Sequence, residues 1–217
     1  MTLAEEFLLL ALHEEKGKPL VSTLYVEYGL VGSVLAELAL AGRIGFDNDK
    51  ILVLDPAPVG TTEEDAALAR LAGEAKVRRA YWWAGKLKSG LRQRTLTRLV
   101  EAGVLNEEQR TVLGVFPTTR HPEANPLPEQ ELRARLAAVL DGAPADARSA
   151  ALLAIVQACH LNRHVFPDVD KKQYKRRVEA FAEDNEVGEV VKKTIQQIEG
   201  AMVALMVAAT AGAAAGG

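Results

Sequence analysis

Cysteine is almost missing from this 217-residue chain: Cys159 stands alone. No intramolecular disulfide is available, and such usage fits a reducing compartment. The N-terminus, Met1-Thr2-Leu3-Ala4-Glu5-Glu6, places acids where a secretory leader needs basic residues, and no small-residue cleavage site follows. A cytoplasmic location is expected. Long apolar runs are also lacking. The longest, Ala201 to Ala215, is mostly alanine and glycine and is shorter than the ~20 residues that span a bilayer. No Gly-rich phosphate loop exists, since the glycines at 29, 32, 42 and 45 precede no Lys-Ser or Lys-Thr pair, and no Gly-x-Ser-x-Gly elbow is present. His13-Glu14-Glu15-Lys16 lacks the second histidine of a zinc-protease helix. His160 and His164, beside Cys159, share a helical face at i,i+4 spacing, but no fourth ligand stands nearby, so packed or surface histidines are expected. The chain reads as non-enzymatic, with no cofactor.

What is present is ordinary globular material, 48% hydrophobic and 25% charged. Thr2 with Glu5 forms a capping box that opens a leucine-rich helix to about Leu12. Gly17, Lys18 and Pro19 break it. A second helix is expected from about Leu30 to Ala41, ended by Gly42, and then a hairpin made of 43–46 and 51–54. Thr61 with Glu64 predicts another capping box and a helix to Gly73. Further helices are expected from about Val77, from Leu91 to Ala102, from Glu129 to Leu140, and near 150–165, 171–183 and 186–208. Val104-Leu105 and 112–116 read as a second hairpin, so helix, glycine and hairpin occur twice. The pattern predicts one domain over 1–217, mostly helical with one or two small β-hairpins, and a small-residue tail, 209–217, that frays.

Charge is the strongest local signal. The whole chain carries −3, yet Arg70 to Arg98 holds nine basic residues against Glu74 alone, net +8, leaving −11 elsewhere. Any affinity for polyanions must therefore reside in this segment. Tyr81, Trp82 and Trp83 lie inside it, and amphipathic aromatics beside Lys and Arg suit a membrane interface or a phosphate-bearing ligand. The competing expectation is a solvated helical face paired with acids elsewhere, with at least one tryptophan in the core.

Taken in order, several stretches resemble the Golgi phosphoprotein 3 family, which includes bacterial members. They are 3–12, Gly29-Leu30-Val31-Gly32, 35–44, Arg92-Gln93-Arg94, 99–105, Thr118-Thr119-Arg120-His121-Pro122 and 151–154. The composition, rich in Ala and Arg, suits a bacterium. The resemblance implies a helical bundle wrapped by further helices, a protruding hairpin after Gly103, and a non-enzymatic role. Family members bind phosphatidylinositol 4-phosphate peripherally on membranes and act as adaptors for protein tails, and by this resemblance the hairpin near Phe116 to Pro122 is expected to serve self-association.

The family's headgroup pocket uses a Trp, an Arg in the Gly-Leu motif and two further Arg. By resemblance these positions fall at Ser22, Val31, Ser89 and Arg92, so Arg92 alone is kept. Each charge-assisted phosphate contact contributes about 1.5–3 kcal/mol, so selective headgroup recognition should be lost. The expectation is a less specific attraction to anionic membrane through Arg92, Arg94, Lys86 and Lys88, with Trp82 or Trp83 inserted. A rival reading treats 91–116 as a winged-helix unit on nucleic acid, with Arg92, Arg94 and Arg98 on its recognition helix. The surrounding acidity argues against it, and no nucleic-acid partner is expected.

Overall fold

A helix with no exposed residue is stable only if other helices cover every side and its charged groups find partners. α1 (Leu3–Leu10) is such a helix, all eight residues buried. The Thr2 hydroxyl accepts from Glu5 N–H, and the Glu5 carboxylate accepts from Thr2 N–H at 2.8 Å, so the expected capping box is formed. The computed structural model describes residues 1–48, 50–112, 116–181, 196–197 and 200–207.

α2 (Thr23–Leu40) is the central helix, packed against α1 and against α7 (Ala147–Ala158). It starts seven residues earlier than expected. Ser22 caps it, and Gly29, read from sequence as preceding the helix, lies inside it. Gly29 serves packing: a Cβ there would sit 2.1 Å from Phe7 Cζ and 2.9 Å from Cys159 Sγ. At 18 residues and mean hydropathy 1.3, α2 is long and apolar enough to cross a membrane by length and composition, but 67% of it is buried inside this fold. Its apolar surface forms the core.

The first hairpin pairs β1 (Ile44–Asp47) with β2 (Lys50–Val53), Ile44 opposite Val53. α3 (Thr62–Gly73) follows, but its predicted capping box is absent: Thr61 makes no side-chain cap bond, and Glu64 is fully buried with neither carboxylate oxygen hydrogen-bonded among the described residues. Burial pushes the Glu64 pKa up. α4 (Ala80–Leu87) runs through Gly85, and Gly90, at φ 70°, makes the break before α5 (Leu91–Glu101). The second hairpin pairs β3 (Glu108–Val112) with β4 (Phe116–Arg120), further along than expected, because Val104 and Leu105 are buried in the core instead. Its tip, 113–115, falls outside the described residues.

α6 (Leu127–Leu140) and α7 lead to a second correction. The helix expected across 150–165 is split, since His160 adopts the left-handed φ of 58° and a separate α8 (Asn162–Val165) follows. His160 and His164 therefore share no helical face, and no group of three His, Cys, Asp or Glu side chains converges among the described residues. α9 (Lys171–Phe181) covers α7, its Tyr174 hydroxyl donating to Leu153 O at 2.9 Å. The residues at 200–207 are helical and bring Met202, Leu205 and Met206 into the core, while the tail at 209–217 lies outside the described residues. The result is a helical bundle with two small antiparallel hairpins.

Candidate functional site

The basic segment leaves α3, runs along the first hairpin, and continues as α4 and α5. Ile51 N–H donates to Arg78 O at 3.0 Å, and Lys50 bridges Arg79, so the approach to α4 is attached to β2. Successive helical residues point about 100° apart, which separates the three aromatics. Trp83 is 5% exposed and belongs to the core, which removes it as an inserting side chain. Trp82 is half-buried and stands edge-on to Trp83, centroids 4.8 Å apart. The Arg78 guanidinium lies 4.8 Å and the Lys86 ammonium 5.5 Å from the Trp82 ring centroid. Facing water are Tyr81, 45% exposed, and Val77, 56% exposed.

Long-range acids divide the cations into two groups. Arg94 donates from Nε and Nη2 to Glu63, both at 2.8 Å, and from Nη1 to Ser89 O at 3.1 Å. The hydrogen bonds to Glu63 raise its pKa further. Arg98 pairs with Glu5 at 2.8 Å, Arg78 with Glu74 at 3.3 Å, and Lys88 with Glu27 at 3.5 Å while lying over the Tyr28 ring. Arg94 and Lys88, two of the four cations expected to meet an anionic surface, are thus committed within the fold. Lys76 and Lys86 are exposed and form no ion pair among the described residues. Arg70 is exposed too and donates to Lys86 O at 3.3 Å.

Arg92, half-buried on α5, has no ion pair among the described residues, unlike the half-buried Arg78, Lys88 and Arg98. Its Nε, like that of Arg78, is sealed from water with no hydrogen-bond partner among the described residues. Beyond β4, His121 is in the same condition, its Nε2 buried and 3.8 Å from Glu107. The His121 pKa is lowered by burial first, against the raising effect of Glu107, and the Arg92 charge lowers it further. Arg120, the neighbour of His121, also has a sealed and unpartnered Nε. This second cluster is held by the turn after α1: His121 N–H donates to Gly17 O at 3.2 Å, and at φ 55° a Cβ on Gly17 would meet the His121 backbone at 2.2 Å. Arg120 and His121 were visible in sequence only as part of a short motif, because strand alternation names no cross-chain partner.

The other mapped positions fare differently. Val31 is 0% exposed and lies among core side chains, so it cannot contact a ligand. Ser22 is exposed at the start of α2, its hydroxyl accepting weakly from Tyr25 N–H at 3.5 Å. Ser89 is exposed at the α4–α5 turn, where its carbonyl steadies Arg94.

A profile of Golgi phosphoprotein 3 matches residues 3–198. The vacuolar protein sorting-associated protein 74 of Eremothecium gossypii is 28% identical over 165 residues, which cover 64% of this chain and 49% of that protein. The chain thus spans about half the length of the curated relative it matches. The family profile runs from the first residue of α1, through both hairpins and the basic segment, to residue 198, and the chain belongs to the Golgi phosphoprotein 3 family.

Proposed function

We propose that this protein is a non-enzymatic peripheral membrane protein that holds an anionic phospholipid phosphate at Arg92, with Lys86, Lys76 and Arg70 adding general attraction and Tyr81 and Val77 entering the interface. The observation that carries this reading is Arg92, the half-buried cation of the basic segment that has no ion pair among the described residues and whose Nε is sealed without a partner. An unsatisfied buried donor costs about 1–3 kcal/mol, more when charged, and a phosphate oxygen is an acceptor suited to recover it. Family membership supports the same class of ligand. With Ser22, Val31 and Ser89 in place of a Trp and two Arg, discrimination among headgroups is expected to be weak. Capture of protein tails, and self-association through the hairpin ending near Pro122, belong to the same adaptor reading. The nucleic-acid reading receives no such support, because Arg94 and Arg98 turn toward Glu63 and Glu5.

Vesicle flotation tests the proposal. Binding to phosphatidylglycerol-containing vesicles at low salt, similar binding to phosphatidylinositol 4-phosphate at matched charge, and none to phosphatidylcholine are expected. Arg92→Ala with Lys86→Ala should abolish it. Recruitment that ignores lipid charge, or survives both substitutions, would refute the reading.

A further inference from the structure

On another face of the bundle a cavity of about 390 Å³ opens between the start of α2, the end of α7, α9 and the helical residues 200–207. That volume is in the range of small-molecule sites, roughly 300–1,000 Å³. Its walls are of two kinds. Val203 and Val207, one turn apart and 60% and 63% exposed, form an apolar side together with Met206 and Ala158. Their apolar surface faces the cavity rather than the core. Opposite are the cationic Lys171 and Lys175 and the polar Gln157 and His160.

The polar side shows signs of being fixed in place. The left-handed His160 ends α7 and stands edge-on to the Tyr25 ring at 5.3 Å. A non-glycine residue in that conformation is strained, and such strain collects at ligand sites. Gln157 Oε1 is buried without a hydrogen-bond partner among the described residues; being an acceptor it makes this wall polar but takes no part in holding an acid group. Lys175 pairs with Glu179 at 3.4 Å, whereas Lys171 makes no ion pair among the described residues and supplies the free positive charge.

From this juxtaposition we propose that the cavity binds a single-chain anionic amphiphile, its chain along Val203, Met206 and Val207 and its acid group at Lys171. The source of the acid group is either a carboxylate or a phosphate ester, since an ammonium accepts both. The proposal stands apart from the membrane reading, because it concerns a dissolved molecule and none of the residues assigned to the membrane face.

The test is isothermal titration calorimetry of the full chain with decanoate, decyl phosphate and neutral decanol, each below its micelle concentration. Saturable binding of one or both anions, tighter than decanol, is expected, and the stronger anion identifies the head group. Lys171→Glu lies on an exposed position, so the fold should survive. It should weaken the anions about tenfold and leave decanol unchanged. Val203→Asp should weaken all three. Circular dichroism confirms folding of each variant, and flotation should be unaltered by both. No saturable binding of either anion, or anion binding indifferent to both substitutions, would overturn the proposal whether or not the vesicles are bound.

Discussion

Adding one methyl group at two helical glycines should change stability in opposite directions. Gly29→Ala places a Cβ 2.1 Å from Phe7 Cζ and 2.5 Å from Cε1, and Phe7 is fully buried, so its ring has no open space to enter. Overpacking of this kind costs about 1–3 kcal/mol, while Ala in place of Gly in a helix returns about 1 kcal/mol. The net expectation, taking the upper part of that range for a contact this short, is a loss of about 1–2 kcal/mol. Gly85→Ala, in α4, meets nothing within 4 Å. It should therefore gain about 1 kcal/mol, which in a chain of this size raises Tm by about 2–4 °C. Urea unfolding followed by far-ultraviolet circular dichroism measures both. Phe7→Leu supplies the control: it removes the obstructing ring tip, so the double variant should be more stable than the two single losses predict, by at least about 0.5 kcal/mol. A Gly29→Ala protein as stable as Gly85→Ala, or additive with Phe7→Leu, would show that the close approach of α1 to α2 is not what requires glycine.

Arg94→Ala should destabilise the fold by about 1–2 kcal/mol, since it leaves the nearly buried Glu63 without its guanidinium, yet should leave vesicle flotation intact; Arg92→Ala should do the reverse. The Glu129 pKa is raised to about 7 by burial, which outweighs Arg133 and is helped by Glu123 and Glu14. The folded state therefore binds the proton more tightly than the unfolded chain, and stability is fullest below the ordinary carboxylate pKa and declines as pH rises toward about 7. Urea midpoints across that window should fall less steeply in Glu129→Gln. Burial pushes the Cys159 thiol far up, so a thiol reagent at neutral pH should label it only after denaturant is added; rapid labelling of native protein would contradict its placement against Gly29.

Local signals were legible and distant ones were not. The Thr2–Glu5 box is formed as read because both partners lie within one turn. Its counterpart at Thr61 failed because Glu64 is drawn into the core, a fact of packing that spacing does not encode. Gly29 looked like a boundary, yet its cause lies in Phe7, 22 positions away. The same limit governs the site. The run from Arg70 to Arg98 announced a cationic surface, but Glu63, Glu5 and Glu27, which neutralise Arg94, Arg98 and Lys88, come from other helices. Arg92 was selected by resemblance, and what sets it apart from Arg78, Lys88 and Arg98, a half-buried guanidinium without an ion pair among the described residues, is visible only in the fold.

The attachments of the basic segment also carry a mechanical consequence. It is riveted to β2 through Arg78, to α2 through Lys88, to α3 through Arg94 and to α1 through Arg98. A load applied at Tyr81 is shared among four anchors rather than borne by one loop, so on the membrane reading proposed above the exposed charges would keep their spacing against a surface. Such a plate meets its target with little ordering left to do, and loosening any single rivet should blunt its grip only slightly.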